Sequence, residues 1–375
     1  MKFLHTADWH LGKALFGRSL LEDQRWFLED WFLPLVDREQ PDAVVLAGDI
    51  FDRQIPPVEA VGLFDGFLRA LCAREVPLIA VTGNHDSAER LSMGASLLRA
   101  SGVVLATRPA DLYAPYTLEA GAEKVCFHTL PYCEPAAARA LLGDEDIRTA
   151  DGAVRALLQK ARPLPGACNV LVAHCFAAGG AVGASENPAF VGPASQVGLD
   201  SFAPFDYVAL GHLHGAQKAG LGRYAGSPLK YSFDEAGQKK GVVRVTVEGG
   251  AVRAQVIPLT PPRDVRRVRG EFDGLLAQAK AAPSEDYLFA ALTDPKPVYQ
   301  PVDRLRPYWP NLLSVASECL LAQGAGENDA LRREMRRRRV DDGTIFAEFL
   351  RQVCGTEATA EDLALFSQAG KEEDA

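Results

Sequence analysis

Up to Val256 the chain alternates short apolar runs with stretches whose apolar residues recur every three or four positions. The runs are rich in Val, Ile, Leu and Phe and are closed by Gly, Asn or Asp. They predict strands at Lys2 to Thr6, Ala43 to Ala47, Leu78 to Thr82, Val125 to Thr129, Val170 to Ala173 and Tyr207 to Leu210. Between them, Val61, Phe64, Leu68 and Leu71 have the spacing of a helix that buries one stripe. Trp26, Phe27, Asp30, Trp31 and Val36 form a mixed, largely apolar face that stops before Pro41. Alternation of this kind predicts an α/β fold with covered sheets.

Past Val256 the pattern changes. Ile257 to Asp264 (IPLTPPRD) is a proline-rich joint, followed by a small unit with a helix expected at Phe272 to Ala281 and strands at Tyr287 to Leu292 and Leu312 to Val315. A second joint, AQGAGEND, leads into the arginine run Arg332 to Arg339. Beyond it, Ile345, Phe346, Phe349, Leu350 and Val353, then Leu363, Leu365 and Phe366, suggest two short amphipathic helices. The expected parts are 1–258, 259–325 and 326–375.

Composition narrows the class. At 375 residues, 47% of them hydrophobic, the chain exceeds one ordinary domain. No apolar run has membrane-spanning length, and MKFLHTADWH lacks the order of a signal peptide, so a cytoplasmic location is expected. Seven cysteines with no C-x-x-C fit reduced thiols rather than a disulfide framework or a thiolate metal site. A net charge of -9 argues against coating nucleic acid by bulk electrostatics, so a polyanionic substrate would need bound cations or a partner to attract it.

The candidate chemistry lies where the strands end. These ends carry Asp8-Trp9-His10, Gly48-Asp49, Gly83-Asn84-His85-Asp86, His174 and Gly211-His212-Leu213-His214, and so hold five of the seven histidines. In open α/β sheets the carboxyl ends of strands share one edge, so residues far apart in sequence can converge there. Asp8, His10, Asp49, Asn84, His174, His212 and His214 make a mixed N/O ligand set suited to Mn²⁺, Fe²⁺ or Zn²⁺. Seven candidates are too many for one first-row ion but suit two ions sharing a carboxylate, with His212 and His214 each holding one. Such a pair activates water and neutralises a phosphoryl group. Gly48, Gly83 and Gly211 would let the backbone turn and a phosphate approach. His5 and His128 lie inside strands and are expected in the core, and Cys175 is expected to be a buried thiol.

The ordered set HTADWHLG, LAGDIFDR, TGNHDS, VAHCF and ALGHLHG resembles the calcineurin-like metallophosphoesterase superfamily over roughly the first 230 residues. YAGSPLKYSFDEAGQKKG, Tyr224 to Gly241, and the opening KFLHTADWHLGK are similar to the SbcD family, bacterial relatives of the Mre-type nucleases. That resemblance implies two packed β-sheets flanked by helices, a small α+β capping domain, and a helical tail that binds an ATPase. It also implies 3′ to 5′ exonuclease action on duplex DNA ends and endonuclease action on single strands and hairpins. Two Mn²⁺ ions are implied, with Mg²⁺ as an alternative, and ATP enters only through SbcC, a coiled-coil partner. By the same resemblance Asp8, His10, Asp49 and His214 hold one ion and Asp49, Asn84, His174 and His212 the other, and His85 stabilises the transition state or protonates the leaving oxygen. The helices around Val61 to Leu71 and Arg90 to Leu98 would form a homodimer.

Asp52 stands where some members carry a second histidine, and Asp52-Arg53 echoes protein phosphatases. A phosphomonoesterase or phosphodiesterase acting on a small or protein substrate is therefore the alternative. The arginine run either touches DNA phosphates or an acidic patch on the partner, or is a solvated helix face. The apolar face starting at Ile345 either meets a groove on SbcC or folds back.

Overall fold

The computed structural model describes residues 1–181, 195–319, 346–347 and 358–372, with side chains as far as Phe366. The chain divides into two compact units, Met1–Val265 and Arg266–Ala375.

The first unit contains two six-stranded sheets. In chain order its principal strands are β1 (Lys2–Thr6), β2 (Ala43–Ala47), β3 (Leu78–Val81), β4 (Val103–Ala106), β5 (Tyr116–Ala120), β6 (Glu123–Leu130), β7 (Cys168–His174), β8 (Tyr207–Gly211), β9 (Gln217–Ala219), β10 (Gly222–Tyr224), β11 (Gly241–Glu248) and β12 (Ala251–Pro258). One sheet runs β12-β11-β1-β2-β3-β4 and the other β9-β10-β8-β7-β6-β5. The central strands β1 to β4 are mutually parallel, as are β6, β7, β8 and β10. The antiparallel hairpin of β11 and β12, turned at Gly249-Gly250, closes one edge of the first sheet.

Parallel strands covered on both faces must be apolar throughout, and every residue of β2, β3, β7 and β8 is buried. The two sheets share one core. Phe3, Val45, Ile79 and Val81 from the first meet Phe127, Val170, Val172 and Tyr207 from the second, with the Phe3 and Phe127 rings edge to face at 5.4 Å. The outer face of the second sheet is covered by helices Pro135–Leu142 and Ala150–Gln159.

Two helix readings change. In helix Val58–Ala73 the buried stripe is Ala60, Leu63, Phe64, Phe67 and Leu71, whereas Val61 is exposed and Leu68 half-buried. The expected stripe was rotated because both faces of this helix carry apolar residues. The mixed face around Trp26 is explained by a π-helical turn at Phe27–Phe32 between helices Leu21–Trp26 and Leu33–Glu39. The wider turn shifts the phase, so that Phe27, Leu28, Phe32, Leu35 and Val36 are buried while Trp26 and Trp31 are only half-buried.

The second unit has a three-stranded sheet, Val265–Gly270, Tyr287–Leu292 and Leu312–Ser317, with helices Phe272–Ala281 and Pro301–Leu305. Phe272, Leu275, Leu288, Trp309 and Leu312 form its core. Helix Ala360–Glu372 carries Leu363, Leu365 and Phe366, and the Phe366 ring stacks on Phe346 at 4.3 Å. Arg332 to Arg339, Ile345, Phe349, Leu350 and Val353 lie outside the described residues. Among the described residues no helix is long and apolar enough to cross a membrane.

Candidate metal centre

The carboxyl ends of β1, β2, β7 and β8 meet where the two sheets abut. Gly211, the last residue of β8, pairs with His174, the last of β7, and a Cβ on it would collide with the carbonyl of Ala47 at the end of β2. At Gly48 the backbone has φ +87°, and a Cβ would strike the His174 ring. Contact between the sheets thus leaves no room for a side chain at Gly48 or Gly211.

After β1 and β2 the chain runs as two adjacent loops. The amides of Asp8, His10 and Leu11 donate to the carbonyls of Gly48, Asp49 and Ile50. Asp8, His10, Asp49 and His212 all have φ between +44° and +111°, an unfavourable region for residues with a Cβ. Four such residues in one place are the kind of local strain that a functional site retains. Between Asp8 and His10, Trp9 is fully buried among Phe27, Phe32, Phe64 and Phe67, its Nε1–H donating to Thr6 Oγ1. Gln24 donates from Nε2 to the carbonyls of Trp9 and His10, and the Tyr231 hydroxyl also donates to the Trp9 carbonyl.

The structure brings the seven candidate ligands together. Asn84 Oδ1 is 3.0 Å from both His174 Nε2 and His212 Nδ1, those two nitrogens are 3.3 Å apart, and His174 Nε2 is 3.4 Å from Asp49 Oδ2. On the other side, His10 Nε2 is 3.1 Å from His214 Nε2 and 3.6 Å from the same Asp49 oxygen. Asp8 Oδ1 accepts from the His212 amide, while the buried Oδ2 has no hydrogen-bond partner among the described residues. Among the described residues, two groupings of acids and histidines have ligand atoms within 4.8 Å of one another: Asp8, Asp49 and His174, and His10, Asp52 and His85.

The hydrogen bonds behind the rings decide what the ring faces offer. A carbonyl can only accept, so the bond between His174 Nδ1 and the Ala47 carbonyl, 2.9 Å, leaves Nε2 to the cluster. His214 Nδ1 likewise donates to Glu235 Oε1 at 2.9 Å, leaving Nε2 to face His10. Lone pairs set about 3 Å apart around a common point match the ligand spacing of an ion with bonds of about 2.1 Å.

Electrostatics agree with this fit. Burial pushes Asp8 up to about 7 and holds His10 well below the ordinary histidine value. Burial also opposes a charge on Asp49 and on His174. Their mutual attraction nevertheless holds Asp49 well below the carboxylate range and raises His174 to about 9. The acids thus draw positive charge to the point where the ligand atoms converge. The donor set fits two divalent cations sharing Asp49.

His85 lies beside this cluster, its ring 4.8 Å from that of His10. Its amide donates to Asp49 Oδ1 and its Nδ1 donates to the Asp52 backbone carbonyl at 2.8 Å. The Asp52 carboxylate is engaged elsewhere, with Lys13 Nζ at 2.6 Å and His10 Nδ1 at 3.6 Å. His5 and His128 are fully buried inside β1 and β6, and Cys175 is a buried thiol.

Sequence reasoning missed three supporting residues. Asp86, buried, accepts from the amides of Ile50, Phe51 and Gly83 and so ties the loop after β2 to the loop after β3. Glu235 and Lys240, also buried, pair at 2.6 Å behind His214, with Lys240 further donating to the His214 carbonyl. Against burial, the His214 hydrogen bond and the Lys240 charge hold Glu235 down at about 2. Both residues lie in the segment Tyr224 to Gly241, whose family likeness was the available signal.

A two-sheet α/β unit with acids, amide and histidines gathered at the strand ends defines a metallophosphoesterase. The family model for calcineurin-like phosphoesterases matches residues 1–216, more than half of the chain, and the chain belongs to that family. A second model, described as the Type 5 capsule protein repressor C-terminal domain and designated for SbcD, matches residues 261–353. Together the two matches support an SbcD-type nuclease of the Mre kind. The family uses divalent metal ions to hydrolyse phosphoesters.

Proposed function

We propose that the protein is a Mn²⁺-dependent DNA nuclease, cutting duplex ends as a 3′ to 5′ exonuclease and single strands and hairpins as an endonuclease, in the cytoplasm and together with an SbcC-type ATPase. The observation that carries this reading is the pair of ligand groups meeting at Asp49 in a chain whose residues 261–353 match the domain model designated for SbcD.

In this reading Asp8, His10, Asp49 and His214 hold one ion and Asp49, Asn84, His174 and His212 the other. Two bound ions would supply an activated water and neutralise charge on the phosphoryl oxygens. Glu235 and the Ala47 carbonyl orient the rings of His214 and His174. With a hydrogen of His85 Nδ1 held by the Asp52 carbonyl, Nε2 is the ring position that would carry the second proton of the imidazolium and give it to the departing 3′ oxygen.

The face made by helix Val58–Ala73 and the following short helices exposes Val58 (82%), Met93 (84%) and Leu97 (78%). This apolar surface supports a homodimer contact there. The tail beyond residue 325 is assigned to the ATPase. The test is incubation of the protein, with and without its SbcC-type partner, with end-labelled duplex, hairpin and single-stranded DNA under Mn²⁺ or Mg²⁺, beside a phosphomonoester. Cleavage of DNA with negligible phosphomonoester turnover is expected, and the reverse preference would make it a phosphatase.

A further inference from the structure

Away from the metal cluster, at the outer end of the same rim, lies a cavity of 260 Å³ that the chemistry above does not use. β4 runs beside β3 and its Ala106 carbonyl accepts from the Thr82 amide, so Thr107 follows β4 as Thr82 follows β3. Thr107 lines the cavity together with Thr129, which lies on the same side of β6 as Phe127 and so toward the first sheet. Both threonines are buried, and neither hydroxyl makes a hydrogen bond among the described residues. The exposed part of the lining carries Arg99 and Arg108. Arg99 donates from Nη2 to the carbonyls of Ala114 and Pro115 at 3.1 and 3.3 Å, which pins the guanidinium, and no acid pairs with it among the described residues. The single acid of the lining, Asp111, is already engaged: its Oδ2 accepts from the amides of Thr107 and Arg108, each at 2.9 Å. Ser96 and Arg99 share a face of helix Ala95–Ala100 that Leu97 does not, so the cavity and the exposed apolar surface point different ways.

Hydroxyl donors inside and guanidinium groups outside, in a chain of net charge -9, suit an anion. The cavity is smaller than the about 300–1,000 Å³ typical of drug-sized ligand sites, so it has room for a phosphate and little more. A phosphodiester within a strand is flanked by two sugars and cannot enter a recess of this size. A terminal phosphate can, because its three acceptor oxygens all point away from a single attachment. The occupant is therefore a terminal phosphate group.

We infer that this cavity binds a terminal phosphate group, received by the hydroxyls of Thr107 and Thr129 and by the guanidinium groups of Arg99 and Arg108. Two sources carry that group: free inorganic phosphate and, resting on the proposed nuclease function, the 5′-phosphate of a DNA end. When a duplex end is trimmed from its 3′ side, the opposite strand presents a 5′-phosphate at the same end. β4 lies two strands from β2, which carries Asp49, a separation of about 10 Å at the usual strand spacing. DNA grooves are about 6 to 12 Å wide, so phosphates of the two strands can reach the metals and the cavity together. Ends bearing a 5′-phosphate would thereby be preferred over ends bearing a hydroxyl.

Two measurements on the full-length protein with Mn²⁺ separate the sources. The first compares KM for duplexes that differ only in a 5′-phosphate or a 5′-hydroxyl at the trimmed end. The parent should favour the phosphorylated end about tenfold, the size of one hydrogen bond to a charged group, and Arg99→Gln and the isosteric Thr129→Val should lose that preference with bound manganese unchanged. The second is calorimetric titration with inorganic phosphate, whose affinity both variants should lower about tenfold. A lost end preference alone makes the DNA end the occupant, and weakened phosphate binding alone makes it free phosphate. The site is overturned if the variants change neither, or if they change either only together with loss of manganese. A parent that cuts neither duplex, while its variants lose phosphate affinity, refutes the nuclease reading and leaves the site standing.

Discussion

Apart from the half-buried His85, the histidines at the sheet rim are buried as those within the sheets are, yet they face different neighbours. His5, in the middle of β1, has Nδ1 3.1 Å from the Tyr207 hydroxyl, and His128, in β6, has Nε2 3.2 Å from Asn169 Oδ1. Neither faces a carboxylate, and burial lowers both, His5 to about 3. At the rim His10, His174 and His214 each stand within 4 Å of an acid, and His174 is raised instead. Burial alone therefore makes a histidine a neutral packing group. In the proposed reading, opposing carboxylates and aligned lone pairs let a buried histidine hold a cation instead.

Converting the rim into something closer to the interior should have the largest effect. Asp49→Asn removes the shared charge while keeping the side-chain shape, and the acceptor for the His85 amide can be retained. Phosphodiester cleavage should fall by on the order of 10³-fold or more, with bound manganese reduced and the circular dichroism of the fold unchanged. A variant that still carries two ions per chain and cuts at the parental rate would remove Asp49 from the bridging role.

His85 tests whether every rim histidine is a ligand. One of the two acid-histidine groupings includes it, but its Nδ1 is engaged by the Asp52 carbonyl. His85→Ala should lower kcat on the order of 10²-fold, as for loss of a positioned proton donor, while manganese content stays the same. Loss of an ion from that variant would place His85 among the ligands, with His10.

Much of this contrast was legible from sequence, because strand ends can be read from where apolar runs stop, and the polar residues there are few. The helix Phe272–Ala281 and strand Tyr287–Leu292 are likewise marked by their own patterns. Glu235, Lys240 and Asp86 were not legible as supports. Their partners are fixed by three-dimensional approach, as when Asp86 accepts from Ile50 and Phe51 thirty-six and thirty-five residues earlier. The side of helix Val58–Ala73 that faces inward was misread because Val58 and Val61 add apolar residues to its exposed side. The hairpin of β11 and β12 alternates clearly, but alternation does not say which sheet edge it will close.

Glu235 sharpens the comparison further, since it distinguishes His214 from an interior histidine by what lies behind the ring. Glu235→Gln keeps an acceptor for His214 Nδ1 but weakens it, and Lys240 retains the His214 carbonyl, Ser227 and Gln238 as acceptors. Manganese affinity at one of the two sites should fall about 10- to 100-fold in titration, with the other site unaffected. Equal weakening of both sites would mean that Glu235 supports the whole rim rather than one ring.

The smallest expected effect concerns the interior histidine. With its value lowered to about 3 from the ordinary 6.5, His5 stays neutral in the fold over a range where the unfolded chain would protonate it. The unfolded state then binds the extra proton, so His5 leaves stability intact above about pH 6.5 and erodes it as the pH falls toward 3, by at most about 1.4 kcal/mol per pH unit. His5→Gln keeps a polar partner for the Tyr207 hydroxyl but cannot titrate. Urea unfolding of parent and variant at a fixed, saturating manganese concentration, repeated between pH 7 and pH 4, cancels the contribution of the rim. The variant should show the shallower acid slope, whatever its stability at pH 7. Parallel slopes would mean that the folded protein accepts a proton on His5, and the contrast between interior and rim would then rest on geometry alone.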